Sequence, residues 1–144
     1  MPARTKGHTR YAYQYAAKVL CVANIPGTSQ TTGSVVPGVY QTVVNIHNPN
    51  DRPVRFRMKI AVLGAEPSKF IDRELKPDFA TAVNCSQISK DFGITFIHGA
   101  EGFLVIESVA SLDVIAVYTA APRGGEVSSL DVEPVRERIL RRRA

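Results

Sequence analysis

The hydrophobic pattern of the chain changes period only a few times, and almost everywhere it reads as strand. Val54, Phe56, Met58, Ile60 and Val62 alternate with Arg55, Arg57 and Lys59. A period of two puts the first set on one face and the basic set on the other, which is the signature of a half-buried strand. Ahead of it, Val39–His47 reads as a second strand, and Asn48-Pro49-Asn50-Asp51 supplies the turn chemistry between them. The two segments, 39–47 and 53–63, are therefore expected to form an antiparallel hairpin with Phe56, Met58 and Ile60 buried.

Further strands follow from the same logic. Tyr11–Asn24 sets Tyr11, Tyr13 and Tyr15 against Ala12 and Gln14, and Ile71–Leu75 and Phe79–Cys85 are shorter stretches. Residues 86–92 suit one short helix, with Ser86 as its N-cap and Gly93 at its end. Gly102–Val109 and Leu112–Ala120 are strongly apolar and are joined by Ala110-Ser111, a tight hairpin or a short corner; 127–132 is a final strand. Helices alternating with strands, which a parallel sheet needs, are missing. The expected fold is all-β: a single antiparallel β-sandwich, immunoglobulin-like or jelly-roll-like, with basic terminal arms. Residues 1–10 form a basic N-terminal arm, 11–133 the sandwich, and 134–144 an Arg-rich C-terminal tail.

Charge sharpens that division. The net charge of +5 belongs to the ends: residues 1–10 carry +3, residues 134–144 carry +4, and the body between them sums to −2. A folded domain that grips nucleic acid normally carries its positive charge on the folded face as well. Cys21 and Cys85 are too few for a disulfide framework; they read as two buried reduced thiols, with a disulfide as the alternative. No stretch has the make-up of a signal peptide or a membrane span, so a cytoplasmic protein without an integral membrane segment is expected.

Candidate chemistry is sparse. G-x-S-x-G, the P-loop, H-E-x-x-H and C-x-x-C are all absent. His8, His47 and His98 are scattered, and Glu107 and Asp113 flank the Ala110-Ser111 corner as charged strand ends. No catalytic, metal or cofactor residue is assigned, and no enzyme activity is expected. The Arg55, Arg57 and Lys59 stripe has a spacing that suits a polyanion, although a solvated outer face explains it more simply. Arg136, Arg138, Arg141, Arg142 and Arg143 form the second basic candidate, an arm for nucleic acid or an acidic protein surface.

The apolar runs point to assembly. Phe103–Ile106 and Val114–Tyr118 are apolar on both parities, whereas a sheet with one wet face should alternate. A homo-oligomer covering the second face accounts for this, with Phe103, Val105, Val114, Ala116 and Tyr118 as its interface.

The order Val43-Val44-Asn45-Ile46-His47-Asn48-Pro49-Asn50, the basic strand, Glu74-Leu75-Lys76-Pro77, and Glu107-Ser108-Val109 leading into Asp113–Val117 also resembles a family. These residues, over 39–120, are similar to the small β-sandwich proteins related to sensory rhodopsin transducers; an uncharacterised bacterial group with the same sandwich fits them equally. The resemblance implies a soluble, oligomeric, non-enzymatic adaptor. The 25–36 loop, the 85–99 insertion and the Arg-rich tail depart from the family, and rhodopsin binding is not carried over. The expected function is a self-associating adaptor or structural subunit, with nucleic-acid association through the tail as the alternative.

Overall fold

In the computed structural model, residues 9–28, 32–94 and 99–140 are described. Strand β1 (Tyr13–Asn24) organises the rest, because Tyr15, Ala17, Val19 and Cys21 all turn inward. It is followed by β2 (Gly38–His47), β3 (Val54–Val62), β4 (Ile71–Leu75) and β5 (Ala80–Val83). A short helix, α1 (Cys85–Phe92), precedes β6 (Ala100–Ser108), β7 (Asp113–Ala121), β8 (Ser129–Pro134) and β9 (Glu137–Ile139).

The all-β, antiparallel expectation holds, but the strands form one continuous sheet. Among the described residues the order is β4-β3-β6-β1-β2-β7-β8, with β5 added on β2 and β9 on β1. β1 belongs to both wings. Its Tyr13–Cys21 stretch pairs with β6, from Tyr13 opposite Ser108 to Cys21 opposite Ala100, and its last residues Val22–Asn24 pair with β2. The wings close on one core that takes Val19 from β1, Ile46 from β2, Phe56 from β3, Leu104 from β6 and Val114 from β7. Gly102 allows the β3–β6 contact, since a Cβ there would lie 2.1 Å from the Ala61 carbonyl oxygen.

The expected hairpin does not form. β2 pairs with β7, β5 and β1, and β3 pairs with β4 and β6. The Asn48–Pro53 segment is a corner that carries the chain from one wing to the other. Asn48 makes it so. Its side chain is fully buried, and its amide donates to the carbonyls of Arg52 (2.9 Å), Leu75 (3.0 Å) and Lys76 (3.2 Å). Its oxygen accepts from the Asn50 N–H at 2.9 Å. Asn50 in turn donates to the Ser111 carbonyl at 2.9 Å, tying this corner to the one between β6 and β7. Phe56, Met58 and Ile60 are buried as expected.

Three further expectations change. α1 is capped by Asn84 rather than Ser86, in a reciprocal capping box with Gln87, and ends at Gly93 in the left-handed conformation (φ 65°). Cys85, at the start of that helix, is bonded to Cys21 with Cα atoms 5.8 Å apart, so the buried-thiol reading is replaced by the disulfide. Periodicity cannot reveal this, because the pair is brought together only when β1 and α1 pack. Finally, residues 134–140 are not a free tail. β9 pairs with Tyr13–Tyr15 of β1, and the Leu140 N–H donates to the Ala12 carbonyl at 2.8 Å. Tyr15 anchors it from below: its hydroxyl donates to Glu137 at 2.5 Å and accepts from the Leu112 N–H at 2.8 Å. Burial, with help from the Glu137 carboxylate, pushes the Tyr15 hydroxyl up to about 12.

Candidate interaction surface

The outer face of β3, β6 and β1 carries the basic stripe, already occupied by its own surroundings. Arg57 lies between the rings of Tyr11 (4.2 Å) and Phe70 (3.9 Å). It also pairs with Glu107 through Nε (3.0 Å) and Nη2 (2.5 Å), and Gln14 donates to the same carboxylate at 2.9 Å. Lys59 lies 4.7 Å from the Phe70 ring, and Arg55 donates to Thr9 at 3.3 Å. Glu107 is buried by this arrangement, and its pairing with a bidentate cation offsets the cost of taking a carboxylate from water. A polyanion would have to break the Arg57–Glu107 pair to use the stripe fully. Arg136 and Arg138 are exposed beside it on the β9 side, whereas Arg141, Arg142 and Arg143 lie outside the described residues.

The five expected interface residues do not share a surface. Val114 and Ala116 are buried in the chain's own core and are unavailable to a partner. This corrects the parity assignment in β7: the inner set is Val114, Ala116 and Tyr118, and the outer set is Ile115 and Val117. Phe103 and Val105 do face outward, but on the other wing, where Lys18 lies 5.2 Å from the Phe103 ring and pairs with Glu101 at 2.8 Å.

The outer parity of the second wing was missed from the sequence, and it carries an apolar row flanked on β2 by the exposed polar Gln41 and Asn45. Cross-strand register places Val43, Val117 and Val132 in one row, with Ile115 and Pro134 in the next and Thr119 and Leu130 on the other side. Leu130 is 63% exposed and Val132 52%. Every residue of β8 is exposed, so the strand is held by its ladder to β7 rather than by packing on the core. The signal available in the sequence was the doublet Val43-Val44, where both parities are apolar as they are in 114–118.

At the other end of β2, His47 bridges two carboxylates. Nδ1 lies 2.7 Å from Asp113, its direct neighbour on β7, and Nε2 lies 2.8 Å from Asp78, which precedes β5. Hydrogen bonds to Asp113 and then Asp78 raise the His47 pKa above its ordinary value, because only the imidazolium has a proton for each acid. A folded pKa above the unfolded one means that the stabilising contribution is complete below about pH 6.5 and is lost as pH rises through the folded value. The denaturation midpoint of the parent should therefore fall relative to His47→Gln across that window. Parallel midpoint curves from pH 6 to 9 would contradict the bridge. Asp113 and Glu107 serve different partners, so they do not act as a pair, and His98 lies outside the described residues. No group of three or more His, Cys, Asp or Glu placed to hold a metal occurs among the described residues, and none of their helices is long and apolar enough to cross a membrane.

Comparison with known proteins adds a fold relationship. No known protein family matches the chain, and no curated protein sequence matches it. A crystal structure of Thermotoga maritima 1070 is similar, with a TM-score of 0.59 over 88% of this chain and 95% of that one, at 11% identity. At that identity the likeness concerns the fold alone.

Proposed function

We propose that the protein is a self-associating β-structured adaptor or structural subunit whose copies meet through the outer face of the β2-β7-β8 wing. The observation that supports this most directly is the apolar row of half-buried Val43 and Val117 with exposed Val132, flanked by exposed Ile115 and Leu130. A strand with no buried residue on either face, as β8 is, gains little from its own chain beyond backbone hydrogen bonds. Covering this face with a second copy removes apolar surface from water at about 25 cal/mol per Å² and shields the outer edge of β8, which is unpaired among the described residues. The same role is what the resemblance to transducer-like proteins implies for residues 39–120. The stripe on the opposite wing, with Arg57 engaged by Glu107, favours this reading over nucleic-acid binding.

Light scattering of the full chain should give a multiple of the monomer mass at micromolar concentration, unchanged in 1 M NaCl, because apolar contacts are not screened. Val117→Asp or Val132→Asp should reduce the mass to that of the monomer while leaving the strand content intact. A monomeric parent protein overturns the proposal. Dissociation by salt, together with salt-sensitive binding to DNA or RNA, would favour the terminal arginines as the working surface.

A further inference from the structure

We propose that the hollow between Tyr40 and Tyr118 on the inner side of the β7–β8 wing binds a small organic cation, an alkylammonium ion. The hollow follows from the register. Tyr40, Ala120 and Ser129 are direct neighbours across three strands, and Thr42, Tyr118 and Asp131 form the adjacent row. Residues directly opposite on one face have Cβ atoms about 4.5–5.5 Å apart, so Ala120 leaves space where a larger side chain would meet both tyrosines. Leu20 of β1 also lines the hollow. The space is about 200 Å³, below the ~300–1,000 Å³ of drug-sized sites, and suits a ligand of few heavy atoms.

The lining favours positive charge. Asp131 is the charged side chain of this hollow, and it has no ion-pair or hydrogen-bond partner among the described residues. Tyr40, Tyr118, Leu20 and Ala120 supply its aromatic and aliphatic walls, and Gln41, Thr119 and Ser129 add neutral polar ones. Both tyrosine hydroxyls are turned to backbone acceptors, Tyr40 to the Val36 carbonyl and Tyr118 to the Lys18 carbonyl, at 2.7 and 2.8 Å. That fixes the two rings, and aromatic walls beside a carboxylate attract an ammonium with apolar substituents. A neighbouring hollow on the other side of Tyr118 has both signs on its walls, Lys18 and Arg136 with Glu133, and so lacks this bias. The site is separate from the apolar outer face proposed for self-association, so the two readings stand or fall independently.

Amide-resolved NMR of the full chain, titrated with choline and with its neutral isostere dimethylbutanol, tests the proposal. Choline should shift the signals of Tyr40, Tyr118, Ala120 and Asp131, and the isostere should bind at least about tenfold more weakly. Asp131→Asn should weaken choline by a similar factor. This residue is exposed on a strand without core contacts, so the variant should fold. Ala120→Leu should fill the hollow and block choline with Asp131 still present. Equal binding of the isostere, unchanged affinity in Asp131→Asn, or no shift at millimolar choline overturns the proposal. So does a fall in native mass on adding choline, which would make the occupant a basic side chain of a second copy.

Discussion

Phe56→Ala is expected to lower the free energy of unfolding by about 3–5 kcal/mol, the range for removing a large aromatic from a packed core. Phe56 is 2% exposed and lies in a cluster with residues of both wings. Its strand is bound on one edge by β4 and on the other by β6, with Phe56 opposite Arg73 and Ser108. Strands hydrogen-bonded on both edges cannot shift to collapse the space the ring leaves. The transferred surface and the cavity both count against the variant. Urea unfolding of parent and variant provides the check: the midpoint should fall with the slope unchanged. An unmoved midpoint would show that this face of β3 is not core.

Removing the Cys21–Cys85 bond has a comparable expected effect from a different source. The cross-link spans 64 residues, and the loop-closure entropy it takes from the unfolded chain corresponds to about 4 kcal/mol. The double variant Cys21→Ala with Cys85→Ala should therefore lower stability by about 2–5 kcal/mol, and reduction of the parent should do the same. The bond ties the end of β1 to the first residue of α1, whose Ile88 is buried in the shared core. Loss of the tie should loosen α1 first, visible as faster amide exchange over Cys85–Phe92 than in β3 or β6. Full alkylation of both cysteines in the native purified protein without prior reduction would contradict the pairing. Disulfides persist mainly in oxidising compartments, so alkylation immediately on cell lysis also tests the cytoplasmic localisation expected from the sequence.

The alternation in 54–62 was sufficient to identify a strand and its buried face, because pleating places side chains i and i+2 on the same side whatever lies beyond. The same local rule located β1 and β4, continuous apolar runs located β6 and β7, and Gly93 marked the end of α1 because a left-handed residue suits that position. None of these inferences required knowledge of a neighbour. Pairing is different. The pattern in 39–47 and 53–63 is equally compatible with a hairpin and with two strands in opposite wings, since both bury one apolar face. What separates the two outcomes is Asn48, whose side chain finds three carbonyls, two of them from the distant Leu75 and Lys76.

The interaction surface divides in the same way. Two-sided apolarity in 114–118 signalled that both faces of the strand needed cover. Which parity belonged to the core depended on the register of β7 against β2, where Val44 lies opposite Ala116 and Val43 opposite Val117. The hollow beside Tyr118 had no sequence signal, for it exists where three strands place Tyr40, Ala120 and Ser129 in a row. Strand character is a property of a few consecutive residues, and the amino-acid sequence determined it here, together with the buried face where the pattern alternates. Partner strands, the disulfide, the docking of β9 and the identity of the exposed face are contacts between residues far apart in the chain. Only the closed tertiary structure decided those, because each depends on which distant segment reaches the unsatisfied edge or apolar face first presented by the local element.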